Sequence, residues 1–255
     1  MLKLIKYEFR KNRTGLLVML AVAAGLFLLA PAGRALEREG MMAASVVLLM
    51  LYSMAAYVFV LVRGIIAYSN ELKTRTGYLL MMVPRSTMSI LFSKLLFTLF
   101  FALLMMFVSV LALGGAGGIL IAEVYSARGL MDVLRIAMLQ VGLSMDALLS
   151  TAAFFVLAVM ASVLTLVSVS YLSVTLSATV LQQGRLRGVV EAVIFIALMI
   201  LTSWITNLVG PDETALYRTL REALRALLPS IYLNLAFTAG FTALSAYVLR
   251  KKVSL

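Results

Sequence analysis

Side chains that could carry out chemistry are scarce in this chain of 255 residues. The sequence has no His and no Cys, which excludes imidazole and thiolate metal sites, Ser-His and Cys-His nucleophile pairs and the HExxH zinc motif. It also has no phosphate-binding loop of the form G-x-x-x-x-G-K-[ST]. We therefore expect a protein that is not an enzyme and that binds no metal or cofactor on this chain.

Two carboxylates lie at the edges of apolar segments, namely Asp146 and Glu191. An ionisable residue inside a membrane segment usually marks a proton or ion pathway. Asp146 stands alone, however, and Glu191 follows Arg185 and Arg187, which favours an ion pair at the membrane interface over a proton relay. The absence of ionisable residues from the middle of the segments argues against an ion-coupled carrier.

Hydroxyl groups are concentrated in one apolar segment, which contains Ser162, Thr165, Ser168, Ser170, Ser173, Thr175, Ser177 and Thr179. In lipid, such groups mostly bond to their own helix or to a neighbouring helix, so packing is favoured over a substrate-lining role. We predict instead that Tyr52, Tyr57, Phe59 and Asn207 line a pathway. Apolar and aromatic walls of this kind suit an amphipathic, peptide or lipid-like substrate better than an ion.

The segments that carry these residues are long and apolar. Hydrophobic residues make up 63% of the chain and the mean hydropathy is +1.06, which excludes a soluble globular domain. A helix of about 20 residues crosses a ~30 Å hydrocarbon core. Segments of sufficient length lie at residues 15–32, 41–67, 95–122, 147–180, 189–209 and 231–249. We predict an all-α, polytopic membrane helical bundle of six transmembrane helices that forms a single domain over residues 1–255.

The distribution of Lys and Arg predicts the orientation of the chain. One side of the predicted bundle carries fifteen cations and three acidic residues. The other side carries seven cations and eight acidic residues. Because cationic loops are retained in the cytoplasm, both termini are predicted to be cytoplasmic, in the cell (inner) membrane. The formal net charge of +11 is explained by this topology, and no nucleic-acid partner is predicted.

Two amphipathic segments flank the spans. In residues 1–14, Leu2, Ile5 and Phe9 share one helical face opposite the cations, which predicts an elbow helix on the membrane surface. A cleavable signal peptide is the rival interpretation, because a basic leader and an apolar run precede the small residues Ala30 and Ala32. Residues 211–229 have leucines on one face and charges on the other, which predicts an external amphipathic helix, either surface-lying or re-entrant.

Residues 68–93 form the longest predicted cytoplasmic connection. They contain a polar stretch followed by an apolar one, whereas a passive linker would be rich in Gly and Ser. Gly77 is a predicted break, and Pro84 would end the short apolar element that precedes it. Arg75 and Arg85 flank that element, so it is suited either to docking on another protein or to lying on anionic lipid.

The leader K-Y-E-F-R-K-N at residues 6–12, the six spans and this loop together resemble the type-2 ABC transporter permease family. Members commonly show an E…GT…LL…P…SR…K pattern after the second span, whereas here Thr76 precedes Gly77 and Arg85 precedes Ser86. The resemblance implies an elbow helix and a coupling helix in the loop that docks on a separate ATPase. The residues that it assigns to ATPase coupling are Glu71, Arg75, Thr76, Gly77, Tyr78, Pro84 and Arg85.

The resemblance also implies a function and partners. The chain would be the permease subunit of an ATP-binding cassette exporter and would form the translocation pathway. Two copies of an ABC ATPase, which would bind ATP and Mg, and a second permease subunit, the same or related, would complete the complex. The alternatives are a stand-alone secondary carrier or channel-like protein and, less favoured, a non-transporting scaffold or sensor subunit.

Overall fold

The structure of the chain is a computed structural model, which describes residues 2–73, 87–125, 145–180, 187–210 and 220–252. Within these ranges the chain forms helices and no strand. The helices are α1 (Leu2–Ala35), α2 (Glu39–Lys73), α3 (Thr87–Tyr125), α4 (Met145–Val180), α5 (Arg187–Val209) and α6 (Leu220–Lys252). All six are long and apolar enough to cross a membrane, and each contains one of the predicted spans. The prediction of an all-α protein with six transmembrane helices is confirmed.

Two of the predicted amphipathic segments are continuous with spans. Helix α1 runs without a break through Ala35, so the leader from Leu2 onward and the first span are one helix. Residues 211–219 lie outside the described residues, but residues 220–229 form the beginning of α6, which continues through Pro229 into the last span. The surface position of the leader and the external position of residues 211–229 stay predictions.

A tight turn joins α1 to α2. The amide of Arg38 donates to the carbonyl of Gly33 at 2.9 Å, and the amide of Glu37 donates to the carbonyl of Arg34 at 3.2 Å. This pair of bonds is the Schellman arrangement, in which one residue takes the left-handed conformation. Glu37 occupies that position with a φ of 52°, although glycine is the residue that usually does so.

The helices divide into two compact units. The first unit contains Met1–Glu8, Leu61–Leu99 and Thr151–Leu255, and the second contains Phe9–Val60 and Phe100–Ser150. Helices α1, α2, α3 and α4 each contribute residues to both units, whereas α5 and α6 belong entirely to the first.

The core of the second unit is built from α1, α2 and α3. Its buried clusters are Leu16 with Val60, Phe101 and Met105, then Ala23 with Tyr52 and Ala56, and then Ala30 with Leu49, Ala112 and Ala116. Small residues at such positions let helix backbones approach closely. Gly115 also allows a close approach, because a Cβ atom there would lie 2.7 Å from the ring of Phe27.

The core of the first unit is built around α4. Every residue from 167 to 175 is buried, so this stretch of α4 is covered by protein on all sides. Helix α5 packs against α6, and Thr165 of α4 donates to the carbonyl of Asn234 of α6 at 2.8 Å. A central helix surrounded by protein is the element to which the other helices of this unit can be fixed.

Candidate functional site

The predicted coupling residues fall mostly outside the part of the chain that the structure describes. Arg75, Thr76, Gly77, Tyr78, Pro84 and Arg85 lie outside the described residues. Glu71 belongs to the last turn of α2, which ends at Lys73, and α3 begins at Thr87. The structure therefore describes the two helical stems of the predicted loop, the end of α2 and the beginning of α3. Both stems belong to the first unit.

The stem formed by α2 is attached to α4 through Tyr68. The side chain of Tyr68 is buried, and its hydroxyl lies 2.7 Å from Oγ1 of Thr175. Thr175 has one hydroxyl hydrogen, which it donates to the carbonyl of Tyr171 at 2.7 Å. Tyr68 is therefore the donor in its bond to Thr175. Its ring also lies 4.3 Å from that of Tyr171, centroid to centroid.

The stem formed by α3 is attached to the leader through Lys94. Its ammonium group donates to Oε1 of Glu8 at 2.6 Å, and the two residues are 4% and 5% exposed. The contact is both a hydrogen bond and an ion pair, which is the stronger kind of polar contact in a protein interior. The leader and the first two turns of α3 are therefore held together by buried opposite charges.

The two stems also pack directly on each other. A Cβ atom at Gly64 of α2 would lie 3.0 Å from both Cγ2 and Oγ1 of Thr98 of α3. Thr98 in turn donates to the carbonyl of Lys94 at 3.0 Å. Glycine at this position lets α2 and α3 approach closely just before and just after the loop that connects them.

Three of the predicted pathway residues lie in the second unit, where the structure gives them different environments. Tyr52 is 6% exposed, and its hydroxyl donates to the carbonyl of Met19 at 2.9 Å. Phe59 packs against the buried cluster that contains Val60 and Phe101. Tyr57 is 37% exposed. The side chains of Tyr52 and Phe59 are therefore surrounded by other residues of the protein. The side chain of Tyr57 is partly accessible to other molecules.

The fourth predicted pathway residue, Asn207, lies on α5 in the first unit. It is exposed and borders a groove of about 590 Å³ along one face of that helix. The groove is apolar apart from Ser203, Asn207 and the indole nitrogen of Trp204, and Trp204 is itself largely exposed. Its remaining lining residues are Phe195, Ile196, Met199 and Ile200.

The hydroxyl groups of α4 bond to their own helix, as predicted. Seven of the eight donate to a carbonyl three or four residues earlier, at 2.7 to 2.9 Å. The eighth, Thr165, lies 3.0 Å from the carbonyl oxygen of Ala161 in its own helix and 2.8 Å from that of Asn234, and its one hydrogen is shared between them. Two of them also contact other helices: Thr165 contacts α6, and Thr175 contacts Tyr68 of α2. These groups therefore serve the helix and its packing.

The two carboxylates singled out in the sequence, Asp146 and Glu191, lie on different helices. Asp146 is exposed in the first turn of α4. Glu191 follows Arg187 by one turn of α5, and each side chain has polar atoms that are shielded from solvent. Among the described residues, no group of three or more acidic side chains is arranged to hold a metal ion.

The contacts that fix the two stems are not evident from the sequence pattern. Lys94 directly follows the predicted loop, and nothing in the sequence pattern pairs it with Glu8. The sequence does set Glu8 apart, since Glu8 is the one acidic residue in the first 36 positions of the sequence. Tyr171 had no predicted role, and its depth in an apolar segment is explained by its contact with Tyr68.

Comparison with known proteins identifies the family. Residues 4–175 match the ABC-2 family transporter protein family, and this match covers more than half of the chain. It includes the leader, both stems and most of α4. No curated protein and no solved structure matches the chain. The chain belongs to the ABC-2 transporter family and is a multi-pass membrane permease of an ABC transporter.

Proposed function

We propose that this permease is the translocation subunit of an ATP-driven exporter, coupled to its ATPase through the loop at residues 68–93. The observation that carries the proposal is the anchoring of both stems of that loop. Tyr68 fixes one stem to α4, Lys94 fixes the other to the leader, and Gly64 brings the two stems together. A loop that receives force from another protein needs stems that pass the force on to the helices.

The complex that this function requires contains other chains. Two ABC ATPase subunits would bind ATP and Mg, and two permease subunits, the same or related, would enclose the pathway. Both termini of this chain would be cytoplasmic, with the leader as an elbow helix on the inner face of the cell (inner) membrane. The excess of Lys and Arg on that side supports this orientation.

The substrate in this proposal is an amphipathic molecule of the peptide or lipid-like class. The support comes from α5, whose exposed face combines large apolar side chains with the polar groups of Ser203 and Asn207. Such a face can contact an apolar tail and offer hydrogen bonds to a polar head in the same groove.

The proposal is tested by a mild-detergent affinity pull-down of the chain from its native membrane, with mass spectrometry of the co-purifying proteins. We expect a stoichiometric ATP-binding protein that is lost when residues 71–84 are scrambled. The matched control scrambles residues 211–219, which should leave the ATPase bound. A well-folded chain that transports under an ion gradient and retains no ATPase would support a secondary carrier instead.

A further inference from the structure

Glu8 and Lys94 form an ion pair in the interior of the protein. Both side chains are almost completely shielded from solvent, and their charged atoms are 2.6 Å apart. Lysine usually extends its ammonium group toward water while its stem packs on apolar surface. Lys94 instead directs that group at one carboxylate within the protein.

The neighbourhood of each residue shows that the pairing is selective. The other charged residues of the leader whose side chains are described, Lys6, Arg10, Lys11 and Arg13, are all exposed, whereas Glu8 is buried. In α3, Ser93 and Leu95 are buried on either side of Lys94. The leader therefore presents these four cations outward and its one carboxylate toward the beginning of α3.

A buried ion pair of this kind contributes more to the relative position of the two helices than to the stability of the fold. Moving two charges out of water costs much of the energy that their attraction returns, so an apolar pair of similar size would stabilise the fold about as well. What an ion pair adds is a strict requirement on geometry, because its charged atoms must meet while both remain desolvated.

We propose that Glu8 and Lys94 are positioning residues that make the leader follow the α3 stem of the coupling loop, so that a change at the ATPase moves both helices together. This inference rests on the proposed function. The α2 stem is bonded to α4 through Tyr68, and the α3 stem is bonded to the leader through Lys94. The leader continues into the first span within the same helix, so its displacement reaches the membrane.

The test uses the natural lack of cysteine in the chain. A single Cys at the exposed Arg10 reports on the leader in the complete complex, reconstituted with its ATPase in lipid nanodiscs. The measured quantity is the rate of thiol labelling with and without ATP and Mg. We expect this rate to depend on nucleotide in the otherwise natural chain, and the dependence to be lost in Glu8→Gln and in Lys94→Met while the ATPase stays bound.

Two further variants make the result specific. Lys6→Met removes the same charge from an exposed position of the leader and should keep the nucleotide dependence. The exchanged double variant Glu8→Lys with Lys94→Glu should restore it, which a residue that matters only for packing would not do. If neither single variant accumulates in the membrane, the exchanged variant is the deciding one. A labelling rate that depends on nucleotide in that variant supports the proposal, and a labelling rate that does not depend on it contradicts the proposal.

Full nucleotide dependence in Glu8→Gln and Lys94→Met would overturn the inference and leave the proposed function intact. The inference would also be overturned if the labelling rate of the Arg10→Cys chain, with Glu8 and Lys94 unchanged, did not depend on nucleotide while the bound ATPase hydrolyses ATP. A chain that binds no ATPase at all would instead defeat the proposed function, and the two failures are therefore distinguishable.

Discussion

The hydroxyl groups of Tyr68 and Thr175 lie 2.7 Å apart, so a residue near the end of α2 is bonded to α4 across 107 positions of sequence. Both side chains are buried, and the ring of Tyr68 packs on Tyr171, one turn earlier in α4. The bond fixes the height and rotation of α2 relative to α4 within the first unit. It therefore sets the direction in which α2 enters the predicted coupling loop.

Tyr68→Phe should lower the free energy of unfolding by about 1 kcal/mol, because it removes one interhelical hydrogen bond and keeps the ring contact with Tyr171. The measurement is the thermal unfolding of the purified chain in detergent. Thr175→Val in the Tyr68→Phe background should cost less than Thr175→Val alone, since the shared bond is already lost. Tyr232→Phe is the control, because that tyrosine is largely exposed. Equal losses for Tyr68 and Tyr232 would contradict the assignment.

The predicted coupling loop gives a functional prediction. Glu71→Ala and Gly77→Pro should each uncouple ATP hydrolysis from transport while the protein remains in the membrane. Glu71→Ala removes a charge at the end of α2, and Gly77→Pro restricts the backbone where the pattern predicts a break. The measurement is substrate-stimulated ATPase activity of the reconstituted complex. Glu39→Ala, an exposed carboxylate in the first turn of the same helix, is the matched control. Unchanged stimulation in both loop variants would count against a coupling role.

Tyr52 and Tyr57 were predicted together as pathway residues, and the structure separates their expected effects. Tyr52→Phe should lower the free energy of unfolding by about 1 kcal/mol, because the buried hydroxyl loses its bond to the carbonyl of Met19. Tyr57→Phe should leave stability unchanged, since its side chain is 37% exposed. Thermal unfolding of the two variants side by side checks the prediction. A loss for Tyr57 as large as that for Tyr52 would show that burial is not the distinction.

Gly33 is required by the contact between α1 and α2. A Cβ atom there would lie 2.9 Å from Cγ of Met42 and 3.0 Å from its backbone nitrogen. Gly33→Ala should therefore destabilise the second unit by about 1 to 3 kcal/mol, because the backbone at Met42 cannot yield. Gly25→Ala in the same helix meets nothing within 4 Å and should be neutral or stabilising. Unfolding temperatures of both alanine variants provide the test, and similar values would refute the steric argument.

Glu37 holds a left-handed conformation, with φ at 52°, in the turn between α1 and α2. Glu37→Gly should raise the free energy of unfolding by about 0.5 to 1 kcal/mol, because the strain relieved exceeds the entropy that glycine adds to the unfolded chain. Glu37→Ala removes the same charge and keeps the β carbon, so it should give no such gain. A gain in the alanine variant would mean that charge, and not backbone strain, is responsible.

Much of the fold follows from local composition. Each span was predictable because an apolar stretch of about 20 residues is sufficient by itself to define a membrane helix. The self-bonding of Ser168 and Thr179 was predictable for a similar reason, since the accepting carbonyl lies within the same turn of helix. The continuity of α6 was harder to predict. Pro229 suggested a helix boundary, yet α6 continues through it. A membrane helix tolerates the amide donor that proline lacks when neighbouring groups compensate.

The sequence by itself determined the class of the protein and the number of its spans, and the assignment of coupling to residues 68–93 stays a prediction. Only the tertiary structure decided that the hydroxyl of Tyr52 bonds to the carbonyl of Met19 and that Glu8 meets Lys94, 86 positions away. The physical reason is that hydropathy depends on the nearby chain, whereas a polar pair depends on how two helices are rotated against each other. Small differences in packing set that rotation, and those differences are spread over the whole unit.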